Sequence, residues 1–309
     1  MTIRATLALI CCLAPLLLAG CGGGQKPVSL DDEYKDALAY SDPESKAQAL
    51  VKVARKQARA GDIAGAEKSF NAARKAVDDV DSPAGKASAL NALAYAEARA
   101  SMIGRARETL GDTLRAVGGM EDHQAQAIEY GDMAVTYGLY LDEETKAQTF
   151  LVKACKLAEE SASAANPANT LMEVAYDAYL LKDEKQADAI IAQAIAAARA
   201  AEAVNDKVSA LVVVIEKLAR MKKEEEAKKL LDDAVAITKT MPSDSPQAAY
   251  SKAYAMVKIA VPQARLGEKK AAKALLDEAL DLANEKVKDD SGLQRDAKSA
   301  IADALGEIQ

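Results

Sequence analysis

A hydrophobic pattern that returns about every 40 residues constrains this chain more than any other feature. Ala49-Leu50 recurs as Ala89-Leu90, Ala66 as Ala106 and Val77 as Val117, each 40 residues on. Leu171, Ala187, Ile191 and Ala194 recur as Leu211, Ala227, Leu231 and Ala234 at the same step. Ala106 and Leu110 return as Ala147 and Leu151 after 41, as though a turn had gained one residue. Ala227, Leu231 and Ala234 return as Ala272, Leu276 and Ala279 after 45, and that longer step contains Pro242 and Pro246. Six units follow: 44–80, 83–118, 121–164, 167–203, 206–240 and 246–287. A unit this short cannot bury its apolar face alone, but stacked units share one continuous core.

Each unit reads as two helices. In the second, Ala66, Phe70, Ala73 and Val77 fall at spacings of four, three and four, one face of a helix; Leu50, Val53, Ala54 and Ala58 do the same in the first. Between them, Ala60-Gly61-Asp62 supplies a glycine for a left-handed turn and an aspartate to cap the next helix. Asp42-Pro43, Ser82-Pro83, Asn166-Pro167 and Ser245-Pro246 each place a capping residue before a proline at the first helical position. No stretch alternates as a strand does, and breakers every 20 residues or so argue against a long coiled coil.

Ala58 to Ala76, with Gly61-Asp62, Ala66, Phe70 and Ala73, resembles the second half of a tetratricopeptide repeat. Leu50, Leu90, Leu171 and Leu211 stand where that family favours a large residue. Four residues later come Ala54, Ala94 and Ala175, where it favours a small one, and Ile215 departs from it. The period exceeds the family's 34 residues and the chain has no tryptophan, so another helical-hairpin solenoid stays open. The resemblance implies an all-α, right-handed solenoid of six antiparallel hairpins over 44–290, first helices on its concave face. Leu293, Ala297, Ala300, Ile301, Ala304 and Leu305 form an amphipathic stripe within 291–309, expected as a capping helix.

The N-terminus is of another kind. Arg4 precedes the apolar run Ala5–Leu18, which is short of the roughly 20 residues a spanning helix needs. It ends in Leu18-Ala19-Gly20-Cys21, similar to the lipobox of bacterial lipoproteins. That resemblance implies a cleaved signal peptide over 1–20 and lipid on Cys21. Residues 21–43 would then be a glycine-led tether with room for a short helix at Leu30 to Ala39. Gly22, rather than an aspartate, after the cysteine implies the outer membrane, with the body facing the periplasm; in a host with one membrane the body would face outward. Cys11 and Cys12 leave with the signal, so Cys155 alone remains and no disulfide is available within the mature chain. Its neighbours Leu151 and Ala158 mark it as a buried small hydrophobe.

Little in the body suggests chemistry. The single histidine, His123, follows Glu121-Asp122 and reads as a surface residue. No spacing suits a catalytic site, a metal or a cofactor, and Lys222-Lys223-Glu224-Glu225-Glu226 is a solvated helix start. A net charge of −7 argues against nucleic acid as a partner.

Two patterns suggest a binding face. Tyr95, Tyr130, Tyr137, Tyr140, Tyr176, Tyr179, Tyr250 and Tyr254 all fall in first helices, and second helices have none. They are either groove residues, with Tyr95, Tyr176 and Tyr179 foremost, or ordinary core and rim. Arg59, Arg99, Arg220 and Arg265 stand near the ends of first helices. They either complement the helix dipole or line one edge ready for carboxylates. The expectation is a lipid-anchored envelope scaffold, not an enzyme, that binds a protein or peptide. The alternative is a solute receptor enclosing a small molecule.

Overall fold

The computed structural model describes residues 29–161 and 167–308. The expected signal peptide, Cys21 and the cap Asn166 lie outside the described residues. Those residues form fourteen helices and no strand. A short helix α1 (Leu30–Leu38) leads into hairpins α2 (Pro43–Arg59) with α3 (Ile63–Asp78), α4 (Pro83–Arg99) with α5 (Ile103–Val117), and α6 (His123–Tyr140) with α7 (Glu144–Glu160). Then come α8 (Pro167–Leu180) with α9 (Glu184–Ala200), α10 (Val204–Arg220) with α11 (Glu224–Thr240), and α12 (Pro246–Arg265) with α13 (Lys269–Glu285). A last helix, α14 (Ser291–Ile308), packs on both α12 and α13. The fold is an all-α, tetratricopeptide-like solenoid of six antiparallel hairpins with a C-terminal capping helix.

Helix starts follow the local chemistry. The side chains of Asp42, Ser82 and Ser245 accept from the backbone N–H groups of Ser45, Gly85 and Ala248 at 2.7, 3.0 and 3.2 Å, each ahead of an N1 proline. Asp62 caps α3 through Gly65 N–H at 2.9 Å. Hairpin turns repeat one backbone device. Gly61, Ser101, Asp142, Lys182, Lys222 and Gly267 all have positive φ, between 57° and 93°. In the first of them Asp62 N–H bonds Gln57 C=O and Gly61 N–H bonds Ala58 C=O, satisfying carbonyls the helix end would orphan. Lys182–Asp183 and Lys222–Lys223 repeat this pattern.

The core is the repeat made solid. Ala66, Ala106, Ala147, Ala187, Ala227 and Ala272 are buried at the same place in six second helices. Four residues on, Phe70, Leu110, Leu151, Ile191, Leu231 and Leu276 are buried too. A buried leucine contributes about 1.5–3 kcal/mol, an alanine methyl only about 0.8. The alanine positions therefore serve close helix approach more than area.

Each first helix packs on the next, α2 on α4 and onward to α12, whereas successive second helices do not pack closely. Long polar side chains span the wider gaps instead: Arg74 to Thr109 at 2.7 Å, Arg107 to Glu143 at 2.6 Å, Gln193 to Glu159 at 3.0 Å and Arg199 to Asp233 at 2.5 Å. A stack closer on one side curves toward it, so the first helices form the inner wall. The described part of the expected tether is not free chain. α1 packs against α2, burying Ala37, and Lys56 bonds Glu33 at 2.6 Å.

Candidate functional site

The inner wall opens into a groove across α4, α6, α8 and α10, with a cavity of about 600 Å³. Ser88, Asn91, Ala92 and Tyr95 come from α4; Asp132, Val135, Thr136, Leu139 and Tyr140 from α6; Glu173, Tyr176, Asp177 and Leu180 from α8; Lys217 and Arg220 from α10. These are positions three and four apart on each helix, one stripe per helix aimed inward.

Its walls are aromatic and its ends cationic. Tyr95 and Tyr140 meet edge to face with centroids 5.2 Å apart and hydroxyls 3.3 Å apart. Arg55 and Arg99 lie over the Tyr95 ring at 5.9 and 5.6 Å, and Lys217 and Arg220 over Tyr176 at 5.2 and 4.7 Å.

The floor is acidic. Asn91 Nδ2 donates to the Glu129 carbonyl at 2.9 Å and to Glu129 Oε2 at 2.5 Å. Burial pushes the Glu129 carboxyl up to about 7, against the Asn91 hydrogen bond. Asp177 is buried and held well above the usual carboxylate range, first by burial and then by Asp132 and Glu173. Asp132 keeps access to the groove, yet desolvation at the floor and the neighbouring Glu173 raise it to about 6, with Lys217 opposing. Lys217 pairs with Glu173.

Of the residues singled out in the sequence, Tyr95, Tyr176 and Arg220 line this cavity. Tyr179 stacks on Tyr176 at 6.2 Å, outside the lining. Tyr130 and Tyr137 are buried within their hairpin, stacked on Phe150 at 5.8 and 5.5 Å. Tyr250 and Tyr254 line a separate cleft between α10 and α12. The arginines form two pairs rather than one row. Arg59 and Arg99 share a cleft beside Arg55, and Arg220 and Arg265 share another beyond Lys217. Tyr140 and Leu180 end the first helices of the two repeats between them. Arg265 bonds Glu216 at 3.4 Å and Glu307 at 3.2 Å.

The sequence reading missed Asn91, Asp132, Glu173, Asp177 and Lys217. A signal for them existed: Glu173 and Asp177 interrupt Leu171–Leu180, a segment otherwise apolar all round, as Glu129 and Asp132 interrupt α6. Acids in helices with no polar face must sit in a cavity or a buried network.

His123 is exposed at the start of α6. Cys155 is buried, accepts from Gln186 Nε2 at 3.0 Å, and burial pushes its thiol up to about 12. Among the described residues no three His, Cys, Asp or Glu side chains are placed to hold a metal, and no helix is long and apolar enough to cross a membrane.

No protein-family model matches the chain, and no curated protein matches it. Among solved structures it is similar to Ton1535 from Thermococcus onnurineus NA1, 16% identical over 88% of this chain and 83% of that one, with a TM-score of 0.35. That likeness is too distant to carry function.

Proposed function

We propose that this chain is a lipid-anchored scaffold of the cell envelope whose groove across α4, α6, α8 and α10 takes a peptide segment of a protein partner. One observation carries the reading: four first helices pool their side chains on one inner wall, where aromatic and charged groups face an open cavity. Partly exposed tyrosines give large contact area at low entropic cost, the usual anchors of protein interfaces. Such a site binds by shape and charge, and its residues offer no nucleophile with an adjacent base, so a binding role is favoured over an enzymatic one. The anchor is proposed from Leu18-Ala19-Gly20-Cys21 alone. With lipid on Cys21 the body would sit at the membrane surface, on the periplasmic side of the outer membrane under the same resemblance.

The test of the groove uses the full-length chain and a positional-scanning library of capped hexapeptides. Binding weakened tenfold or more by Tyr95→Ala with Tyr176→Ala, and unchanged by Lys228→Ala on α11, supports the reading. Indifference to the tyrosine change in a folded variant rejects it. Thermal stabilisation by metabolites with none by peptides would favour a solute receptor. The anchor is tested by labelling with a clickable palmitate analogue: label on the wild type and none on Cys21→Ser is expected, and equal label would sink the lipoprotein assignment.

A further inference from the structure

We propose that the groove floor formed by Asn91, Asp132, Glu173 and Asp177 seats a primary ammonium group, the side chain of a lysine in the bound peptide. The inference rests on the groove being a peptide site and adds the chemistry of its anchor residue.

The floor has acceptors that no donor among the described residues reaches. Asn91 commits its Nδ2 to Glu129, and its Oδ1 is buried with no hydrogen-bond partner in a side chain that is 4% exposed. Asp177 is 6% exposed, and among the described residues no donor reaches its carboxylate. Both residues line the cavity. Lys217 is the cation nearest this floor, and it is engaged by Glu173 and lies over Tyr176. An unpaired buried acceptor carries an uncompensated desolvation cost, so an occupant bringing donors relieves a standing penalty. An ammonium carries three donors and no acceptor. It is compact, and the acceptors come from three helices, α4, α6 and α8, that line one cavity; a planar guanidinium suits two oxygens in one plane. Its charge also answers the burial and, after it, the like-charge repulsion that hold Asp132 and Asp177 above the carboxylate range.

The surroundings favour a peptide over a free amine. Tyr95, Tyr140 and Tyr176 flank the floor and can cover an aliphatic stem. Beyond them, guanidiniums stand at both ends of the groove, Arg99 at one and Arg220 at the other. An extended chain that seats its lysine centrally would meet these cations with backbone carbonyls or acidic side chains.

The capped hexapeptide library, read with the full-length chain, tests this directly. The expected result is selection of lysine at one position, with at least a tenfold loss on exchange for norleucine or acetyl-lysine. Asp177→Asn and Asp132→Asn should each abolish that preference while keeping the helical circular dichroism of the wild type. Peptides that bind equally with lysine or norleucine would overturn the ammonium seat and leave the groove reading standing. A preference that survives both Asp→Asn changes would overturn the assigned residues. Cadaverine bound in an Asp177-dependent way, with no peptide bound, would overturn the peptide occupant and with it the groove reading.

Discussion

The Asp177 carboxylate of α8 lies against the backbone of Gly131 on α6, in the space where any other residue at 131 would place its Cβ. A helix-interior glycine ordinarily weakens a helix. Here it admits a buried carboxylate to the floor of the groove, so an element of stability is given up at the place where the site is built.

Gly131→Ala should therefore destabilise the protein, although the same change in an exposed helix interior would stabilise by about 1 kcal/mol. The added methyl must displace Asp177. Paired with Asp177→Ala, the glycine substitution should turn neutral or stabilising. Thermal unfolding of the two single variants and the double one gives the cycle; equal effects in both backgrounds would mean that the two residues do not interact.

Glu129 makes stability depend on pH. Its folded value is about 7 against an ordinary 4.5, so between these values the folded state keeps a proton that the unfolded chain releases. Its contribution is present below about pH 4.5 and is lost as pH rises toward 7. Glu129→Gln still accepts from Asn91 and never ionises. At pH 8 it should exceed the wild type by about 1–3 kcal/mol, an advantage that vanishes near pH 4. Denaturant unfolding at the two pH values checks the sign.

Lys182 and Lys222 occupy left-handed turn positions at φ 63° and 61°, with exposed side chains. Gly61 and Gly267 fill the same place in other hairpins. Lys182→Gly and Lys222→Gly should each stabilise by about 0.5–1 kcal/mol, since relief of backbone strain outweighs the added freedom of the unfolded chain. Chemical denaturation midpoints should rise for each change and add when the two are combined. A fall in either midpoint would show that the lysine side chain matters more than the turn.

The Cys155 thiol should be inert in the folded protein. Burial raises it to about 12, which leaves almost no thiolate at neutral pH, and the thiolate is the reactive form. Site-resolved mass spectrometry after iodoacetamide treatment should find Cys155 unmodified in native buffer and alkylated in denaturant. Rapid native alkylation would mean that the packing around Cys155 opens readily.

Much of the fold was legible because it is local and repeated. The 40-residue step, proline-led starts such as Ser82-Pro83 and the Ala66–Phe70–Ala73 spacing are short-range facts that hydrogen-bond geometry and one-sided burial turn into hairpins. Repetition made them visible six times over. Tyr95 and Tyr176 could be marked as first-helix residues, but not told apart from Tyr130 and Tyr137, because facing the groove or the hairpin depends on rotation about the helix axis. That rotation is set by packing against neighbours 40 residues away. The acidic floor was hidden for the same reason. Asp132, Glu173 and Asp177 are unremarkable carboxylates in the sequence, and Asp132 and Asp177 acquire raised proton affinity only when α6 and α8 desolvate them and bring like charges together. The local pattern determined the helices and their pairing; the mutual rotation of stacked hairpins, a tertiary property, decided which side chains meet.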